Sequence, residues 1–302
     1  MSEERRMRVG VVGYGHIGKY LVDKILREGA NHSMELAFVW NRRKENLEGK
    51  VEPHLQLHDL SDFHQWKADL IVEVAHPCVT LEYGDKFLST AHFLVGSPTA
   101  LADEATEVKL RECARLSGYT LYVPCGALWG AEDIFKMAQR GSLKGLKITM
   151  TKHPKSFRLE EPLAERNREA MSKRTVLYEG PVRTLCSLAP NNVNTMAAAC
   201  MAAHTLGFDG VIGVLVSDPS RINMRVGCSI PDWHFVDIEV TGSTIEKTGQ
   251  VFSVKTKRQN PAMPSSVTGS ATFTSFWSSL LGISFTQYIS SKQRLTISHK
   301  HC

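Results

Sequence analysis

Hydrophobic positions along the chain switch between strand and helix periods, and the switch points mark out its elements. Val9, Val11 and Val12 form an apolar run that predicts a buried strand. Behind it Ile17, Leu21 and Ile25, with Tyr20, recur at helical spacing. A second strand is predicted over 35–40. The alternation then repeats, with a strand over 69–74 stopped by Ala75-His76-Pro77 and a helix over about 80–90. A strand over 92–96 ends at Ser97-Pro98, Asp103 stands as cap of a helix reaching about 116, and a strand follows at 120–123. Strands and helices alternating in this way predict an α/β fold of Rossmann type, a doubly wound parallel sheet.

Beyond about residue 129 the pattern changes. Runs at 146–151, 175–179, 210–217, 235–241 and 251–257 read as strands of a more antiparallel type. Two helices interrupt them: 191–206, whose start carries Asn191, Asn192 and Asn194, and 262–281, where Phe273, Phe276, Trp277, Leu280 and Leu281 fall at helical spacing. The charged stretch 158–174 reads as a loop with a short helix, and 286–302 is polar and without period, as a fraying tail would be. The expected organisation is a Rossmann domain over 1–128 and a second α/β (α+β-like) domain with an open mixed sheet over 129–285. The last helix of the second domain is expected to pack back on the first, and a flexible tail to follow.

Between the first strand and helix, Gly13, Gly15 and Gly18 stand at Gly-x-Gly-x-x-Gly spacing, with His16 and Ile17 inside the motif. Gly13 allows the tight turn, Gly15 lets the backbone approach a pyrophosphate, and Gly18 lets the helix pack close to the sheet. Amide N–H groups and the helix dipole then face the phosphates of a dinucleotide. The second strand ends at Asn41, where such sites carry their ribose-reading side chain. An acid there would repel a 2′-phosphate; Asn41 followed by Arg42 and Arg43 does not, and a guanidinium fork suits a phosphate. NADP is therefore admitted beside NAD, although a solvated loop end would carry the same arginines.

Composition narrows the class. The chain has 302 residues, 42% hydrophobic, which suits a two-domain globular enzyme. Its 36 basic and 31 acidic residues give a net charge of +5. The basic residues are dispersed, so nucleic acid is not implied, while an anionic ligand suits the field. Seven cysteines without a Cys-x-x-Cys pair point to reduced thiols and to no metal site. A polar start that reaches the first strand within eight residues, and the lack of a long apolar run, point to a cytoplasmic protein with no membrane partner.

In open α/β sheets ligands lie beyond the carboxyl ends of the strands. The loops at 13–18, 73–76, 96–99 and 125–128 are thus expected to rim one crevice, with Ala75 beside the cofactor and Glu73 and His76 as further candidates for the pocket. Hydride chemistry also needs a proton handler, and His153, His204 and His234 are the candidates of the second half.

Several of these segments together resemble the L-aspartate dehydrogenase family. The likeness spans nearly the whole chain. It rests on the glycine motif, on Val72-Glu-Val-Ala-His-Pro77, Leu94-Val-Gly-Ser-Pro98 and Gly126-Ala-Leu-Trp-Gly-Ala-Glu-Asp-Ile134, on Asn191-Asn-Val-Asn-Thr-Met196, and on Asn260-Pro261. The resemblance implies a Rossmann domain joined to an α/β domain whose open sheet makes a homodimer interface. It also implies NAD(P)-linked oxidation of L-aspartate to iminoaspartate, which water converts to oxaloacetate and ammonia. By the same resemblance Ala127, Asn192 and Asn194 touch the nicotinamide half, and His234 is the catalytic histidine. The family pattern Asn-x-His-Glu-Ile reads Asp232-Trp-His-Phe-Val here, so Asp237 or Asp232 is expected to orient the imidazole in place of the missing glutamate. Lys152, in Thr-Lys-His-Pro where microbial members carry an Arg-Lys-Pro-Pro-like run, and the helix start near Asn191 are candidates for the substrate carboxylates. Two alternatives stay open: a dehydrogenase of similar fold for a related dicarboxylate, and a catalytically silent NADP-binding redox reader or scaffold.

Overall fold

The computed structural model describes residues 5–221, 232–262 and 265–292. Its first sheet is built from β1 (Met7–Val12), β2 (Met34–Trp40), β3 (Gln56–Leu57), β4 (Leu70–Glu73), β5 (His92–Val95) and β6 (Leu121–Tyr122). All pairings are parallel, in the order β3-β2-β1-β4-β5-β6. The strands β1, β2, β4 and β5 are buried on both faces, which is why they read as nearly continuous apolar runs. Helices α1 (His16–Glu28), α2 (Pro77–Leu88) and α3 (Glu104–Ser117) make the crossovers. Asp103 caps α3, its carboxylate accepting from the Thr106 N–H at 2.9 Å and from its hydroxyl. The strand order reverses between β1 and β4, and a ligand crevice opens at that switch point.

The second half supplies α4 (Ala131–Gln139), β7 (Leu143–Lys152), α5 (Leu163–Glu169), β8 (Thr175–Pro181), α6 (Val182–Leu188), α7 (Asn194–Ala202), α8 (Gly207–Gly210), β9 (Ile212–Ser217), β10 (Asp232–Thr244), β11 (Val251–Ala262) and α9 (Ser270–Lys292). Its sheet runs β11-β10-β7-β9-β8. It is mixed, because β7 and β9 are parallel while the other pairs are antiparallel. A parallel pair needs a long crossover, and the helices between β7 and β9 provide it.

Three expectations about elements are corrected. The helix expected over 191–206 starts only at Asn194, because Pro190 to Asn192 make a turn in which the Asn192 N–H donates to the Ala189 carbonyl. The helix expected over 262–281 starts at Ser270, since the β10–β11 ladder continues through Asn260 and Pro261 to an Asp232–Ala262 pair. That helix then runs to Lys292, so 286–292 belong to it; the rest of the expected tail lies outside the described residues.

Helix α9 connects the two sheets. At its start the Ser270 hydroxyl donates to the Pro261 carbonyl at 2.8 Å. Further along, Phe276, Trp277, Leu280 and Ile283 are buried with Leu21, Val22 and Ile25 in one apolar cluster. Phe273 meets Tyr20 edge to face at 5.5 Å, and the Ser284 hydroxyl donates to the His32 carbonyl at 2.7 Å. Burying such side chains stabilises by about 1.5–3 kcal/mol each. Among the described residues no helix is long and apolar enough to cross a membrane.

Candidate active site

The glycine turn takes the shape its residues permit. Gly13 has φ +111°, a backbone conformation L side chains rarely adopt, and its N–H donates to the Trp40 carbonyl at 2.8 Å. A Cβ on Gly18 would lie 1.9 Å from the Gly13 carbonyl oxygen, so α1 rests directly on the turn. A Cβ on Gly15 would meet nothing within 4 Å and would project into open space before the first turn of α1, which holds no acidic residue. This cradle fits a pyrophosphate: approach is unobstructed at Gly15, and no carboxylate of that turn opposes the charge. Asn41 stands against it, its side-chain oxygen accepting from the Tyr14 N–H at 3.1 Å and its amide donating to the Arg43 carbonyl at 2.8 Å. Arg42 and Arg43 are exposed beside it.

A cavity of about 80 Å3 lies between the two sheets. Ile17, Gly96, Pro98 and Ala127 wall it from the first half, while Met150, Lys152, His234 and Asn260 wall it from the second. Asn192, Asn194 and Thr195 close one side, and Thr268, Gly269, Thr272 and Phe276, on and before α9, close another. The polar side chains are committed to different degrees. Asn192 is buried, with its amide donating to the Arg158 carbonyl and its oxygen accepting from the Arg158 N–H at 3.4 Å, so it pins the loop at 158. The Asn194 oxygen accepts from the Thr99 hydroxyl at 3.3 Å, which ties α7 to the end of β5.

His234 is 4% exposed on β10, sharing its face with Val236 and Ile238. Its Nε2 is buried and unpartnered among the described residues, while Nδ1 lies on the side of Gly269. The ring donates to the Ser266 backbone. Burial above all, then the neighbouring Lys152 charge, push its pKa down to about 3, so the imidazole is neutral and Nε2 presents a lone pair. The expectation that Asp237 orients the ring is corrected: alternation places Asp237 on the opposite face, and Ser266 supplies the partner instead. The side chain of Asp232 lies outside the described residues.

The remaining candidates do other work. His153 accepts from the Lys155 N–H at 3.2 Å and caps a turn, and exposed His204 packs on Phe135. His76 caps α2 through the Cys78 N–H. Glu73, fully buried, turns away from the cavity and accepts from the Ala75 N–H, the Ser97 N–H and hydroxyl, and the Thr80 hydroxyl, so it joins the ends of β4 and β5. Burial pushes its pKa up to about 7 against these four bonds, each of which pulls it down. Ala75 is exposed next to the glycine turn. Sequence reasoning missed the segment 265–269, because its position over His234 follows from α9 and not from any local pattern.

A Rossmann sheet carrying this glycine turn, with a second sheet closing on it, is the architecture of the NAD(P)-dependent dehydrogenase family. Family models agree: "Homoserine dehydrogenase, NAD binding domain" matches residues 13–124, and "Aspartate dehydrogenase, C-terminal" matches 133–279. An aspartate dehydrogenase domain-containing protein of Xenopus tropicalis is 81% identical over 93% of this chain and 96% of its own length. One of Danio rerio is 52% identical over 92% and 95%. An L-aspartate dehydrogenase of Methanopyrus kandleri is 27% identical over 86% and 89%. The crystal structure of aspartate dehydrogenase from Thermotoga maritima has the same fold, with TM-score 0.64 at 20% identity, covering 97% of this chain and all of that one. The chain belongs to the family of aspartate dehydrogenase domain-containing proteins.

Proposed function

We propose that the protein is an L-aspartate dehydrogenase that oxidises L-aspartate to iminoaspartate, the imine then being hydrolysed to oxaloacetate and ammonia. The observation that carries this reading is the unpartnered, buried Nε2 of neutral His234, facing the cavity whose other wall holds Ile17 and Ala127. Gly13, Gly15, His16, Ile17 and Gly18 would hold the pyrophosphate, with Asn41, Arg42, Arg43, Ala75, Ala127, Asn192 and Asn194 around the rest of the cofactor. Bound there, the nicotinamide supplies the hydride acceptor. An ammonium cannot lose hydride readily from its carbon, so the amine must be neutral first. The His234 lone pair is placed to take that proton, and the ring would later hold the water that adds to the imine. A substrate carboxylate beside the ring favours the imidazolium and raises its affinity for the proton at the moment it is needed. Arg42 and Arg43 support acceptance of NADP as well as NAD.

The protein is also proposed to act as a homodimer through the open sheet of its second half. The edge strand β11 exposes Val251, Phe252 and Val254, a surface that soluble proteins rarely leave uncovered. Light scattering that finds a monomer at micromolar concentration removes this part. The reaction is tested by nicotinamide absorbance with L-aspartate and NAD or NADP, and with oxaloacetate, ammonia and each reduced cofactor. Turnover that vanishes in His234→Ala while cofactor binding persists is the expected result. Cofactor binding by the wild type without turnover refutes the reading in favour of a silent binding protein.

A further inference from the structure

A second cavity lies on the same face of β10 as His234 but further along the strand, and it shares no lining residue with the first. Its volume is about 540 Å3, which is the size of a small-molecule site. Ile238, Val240 and Gly242 of β10 and Phe252, Val254 and Thr256 of β11 make its floor. Helix α4 makes the wall, where Asp133, Met137 and Arg140 line the cavity from one helical face. Gly242 lets the floor close at one end, since a Cβ there would lie 2.8 Å from the Phe252 ring and 3.3 Å from the Met137 Cε. Arg140 belongs to that end, because it stands just before β7, whose Leu143 pairs with Gly242. Thr256 belongs to the other end, because it pairs with Ile238. Those two places on β10 are about 13 Å apart at the rise of an extended strand.

Three features of this cavity point to an occupant. Trp129, on the loop before α4, is 64% exposed and Phe252 is 54% exposed, so two large aromatic side chains border it with little cover from the rest of the chain. The Thr256 hydroxyl oxygen is buried without a hydrogen-bond partner among the described residues, a costly state for a group that can both donate and accept. The lining charges are Lys136 and Arg140 against Asp133, and Lys136 is already bonded to Glu132 at 2.7 Å. The Arg140 side chain makes no ion pair or hydrogen bond among the described residues, so its guanidinium fork can meet a carboxylate.

We propose that this cavity is a second small-molecule site, separate from the cofactor and from the reaction at His234, and that it takes an elongated aromatic carboxylate of two or more rings. The carboxylate meets Arg140, the rings lie against Phe252 and Trp129, and a polar group at the far end meets the Thr256 hydroxyl. A single ring is too short to engage both polar groups.

The probe is 6-hydroxynaphthalene-2-carboxylate, compared by titration calorimetry with its carboxamide and with naphthalene-2-carboxylate, on the whole chain saturated with reduced cofactor. Wild type is expected to bind the hydroxy acid at least about tenfold more tightly than the amide, the ratio that one charge-assisted hydrogen bond provides. It should also prefer the hydroxy acid to the acid that lacks the hydroxyl, by roughly threefold or more. Arg140→Gln should bring acid and amide within about threefold without lowering the melting temperature, since that side chain is exposed. Thr256→Val should erase the preference for the hydroxyl, and Phe252→Ala should weaken all three ligands. A preference for the acid that survives Arg140→Gln overturns the proposal. So does a wild type that shows no saturable binding up to about 1 mM, which would mean that water alone fills the cavity. A wild-type dimer that binds no probe and that Phe252→Asp splits into monomers assigns the cavity to a second copy of the chain and overturns the proposal as well.

Discussion

Alanine placed at Gly18 and at Gly15 should separate two roles that the glycine motif combines. At Gly18 the new Cβ would sit 1.9 Å from the Gly13 carbonyl oxygen and 2.9 Å from its carbon, and both are backbone atoms that no side-chain rotation can move away. Ordinary contact needs well over 3 Å, so α1 must lift from the turn by more than an ångström. Overpacking of this kind costs about 1–3 kcal/mol, and it opens the cradle in the same movement. At Gly15 the backbone is extended, with φ −79°, and the Cβ meets nothing within 4 Å, so the fold has no reason to change. The methyl group instead occupies the space through which a pyrophosphate approaches. Gly15→Ala should keep the wild-type melting temperature and lose cofactor affinity. Gly18→Ala should lose both, with a melting temperature lower by roughly 2–4 °C per kcal/mol for a chain of this size. Scanning calorimetry without ligand and fluorescence titration with NADH and NADPH measure the two quantities independently. Equal melting temperatures for the two variants would refute the packing argument, and unchanged affinity in Gly15→Ala would refute the cradle.

Three other outcomes follow from the same geometry. His234 should stay neutral in the ligand-free protein down to about pH 4, as read by 15N NMR of labelled histidine, and a midpoint near 6.5 would contradict the burial argument. Its folded pKa lies below the unfolded one, so the unfolded chain takes up the proton first, and its contribution to stability is full above about pH 6.5 and falls toward pH 3. Glu73→Gln puts an amide NH2 where the carboxylate accepts four bonds, and in either orientation it faces a donor; destabilisation of about 1–3 kcal/mol by chemical denaturation is expected, and an unshifted midpoint would sink the role of Glu73 as a clasp. Alanine at Arg42 and Arg43 together should weaken NADP at least about tenfold more than NAD, since a guanidinium–phosphate pair is a charge-assisted bond; equal losses would show that neither reads the 2′-phosphate.

The first half of the chain was legible because its signals are local. The buried parallel strands β1, β4 and β5 are apolar runs that stop at or shortly before a Gly or Pro, and Asp103 marks its helix by capping chemistry that needs no tertiary partner. In the second half the boundaries depended on pairing. Asn260 to Ala262 are strand residues because β10 lies beside them, and a proline at position 261 hides this from a reading of the sequence alone. His234 was legible through its family pattern, whereas its partner was not: Ser266 meets the ring through its backbone, and backbone groups leave no trace in residue type. Glu73 misled for a related reason. A carboxylate at a strand end looks available to a ligand, and only the four donors converging on it in the folded chain show that it is used up.

The passage of α9 from the second sheet to the first has a consequence for how the chain is made. Leu21, Val22 and Ile25 are translated early, yet the side chains that cover them, Phe276, Trp277, Leu280 and Ile283, come some 250 residues later. The dinucleotide half is therefore discontinuous, with the second sheet inserted between its last strand and its last helix. It cannot complete its core during synthesis until the intervening sheet has emerged. A nascent chain stopped before Ser270 would display an apolar stripe on α1 that invites chaperones or aggregation. Folding of the nucleotide cradle and delivery of the loop over His234 are thus completed by the same late segment, so the cofactor site and the chemistry come into being together.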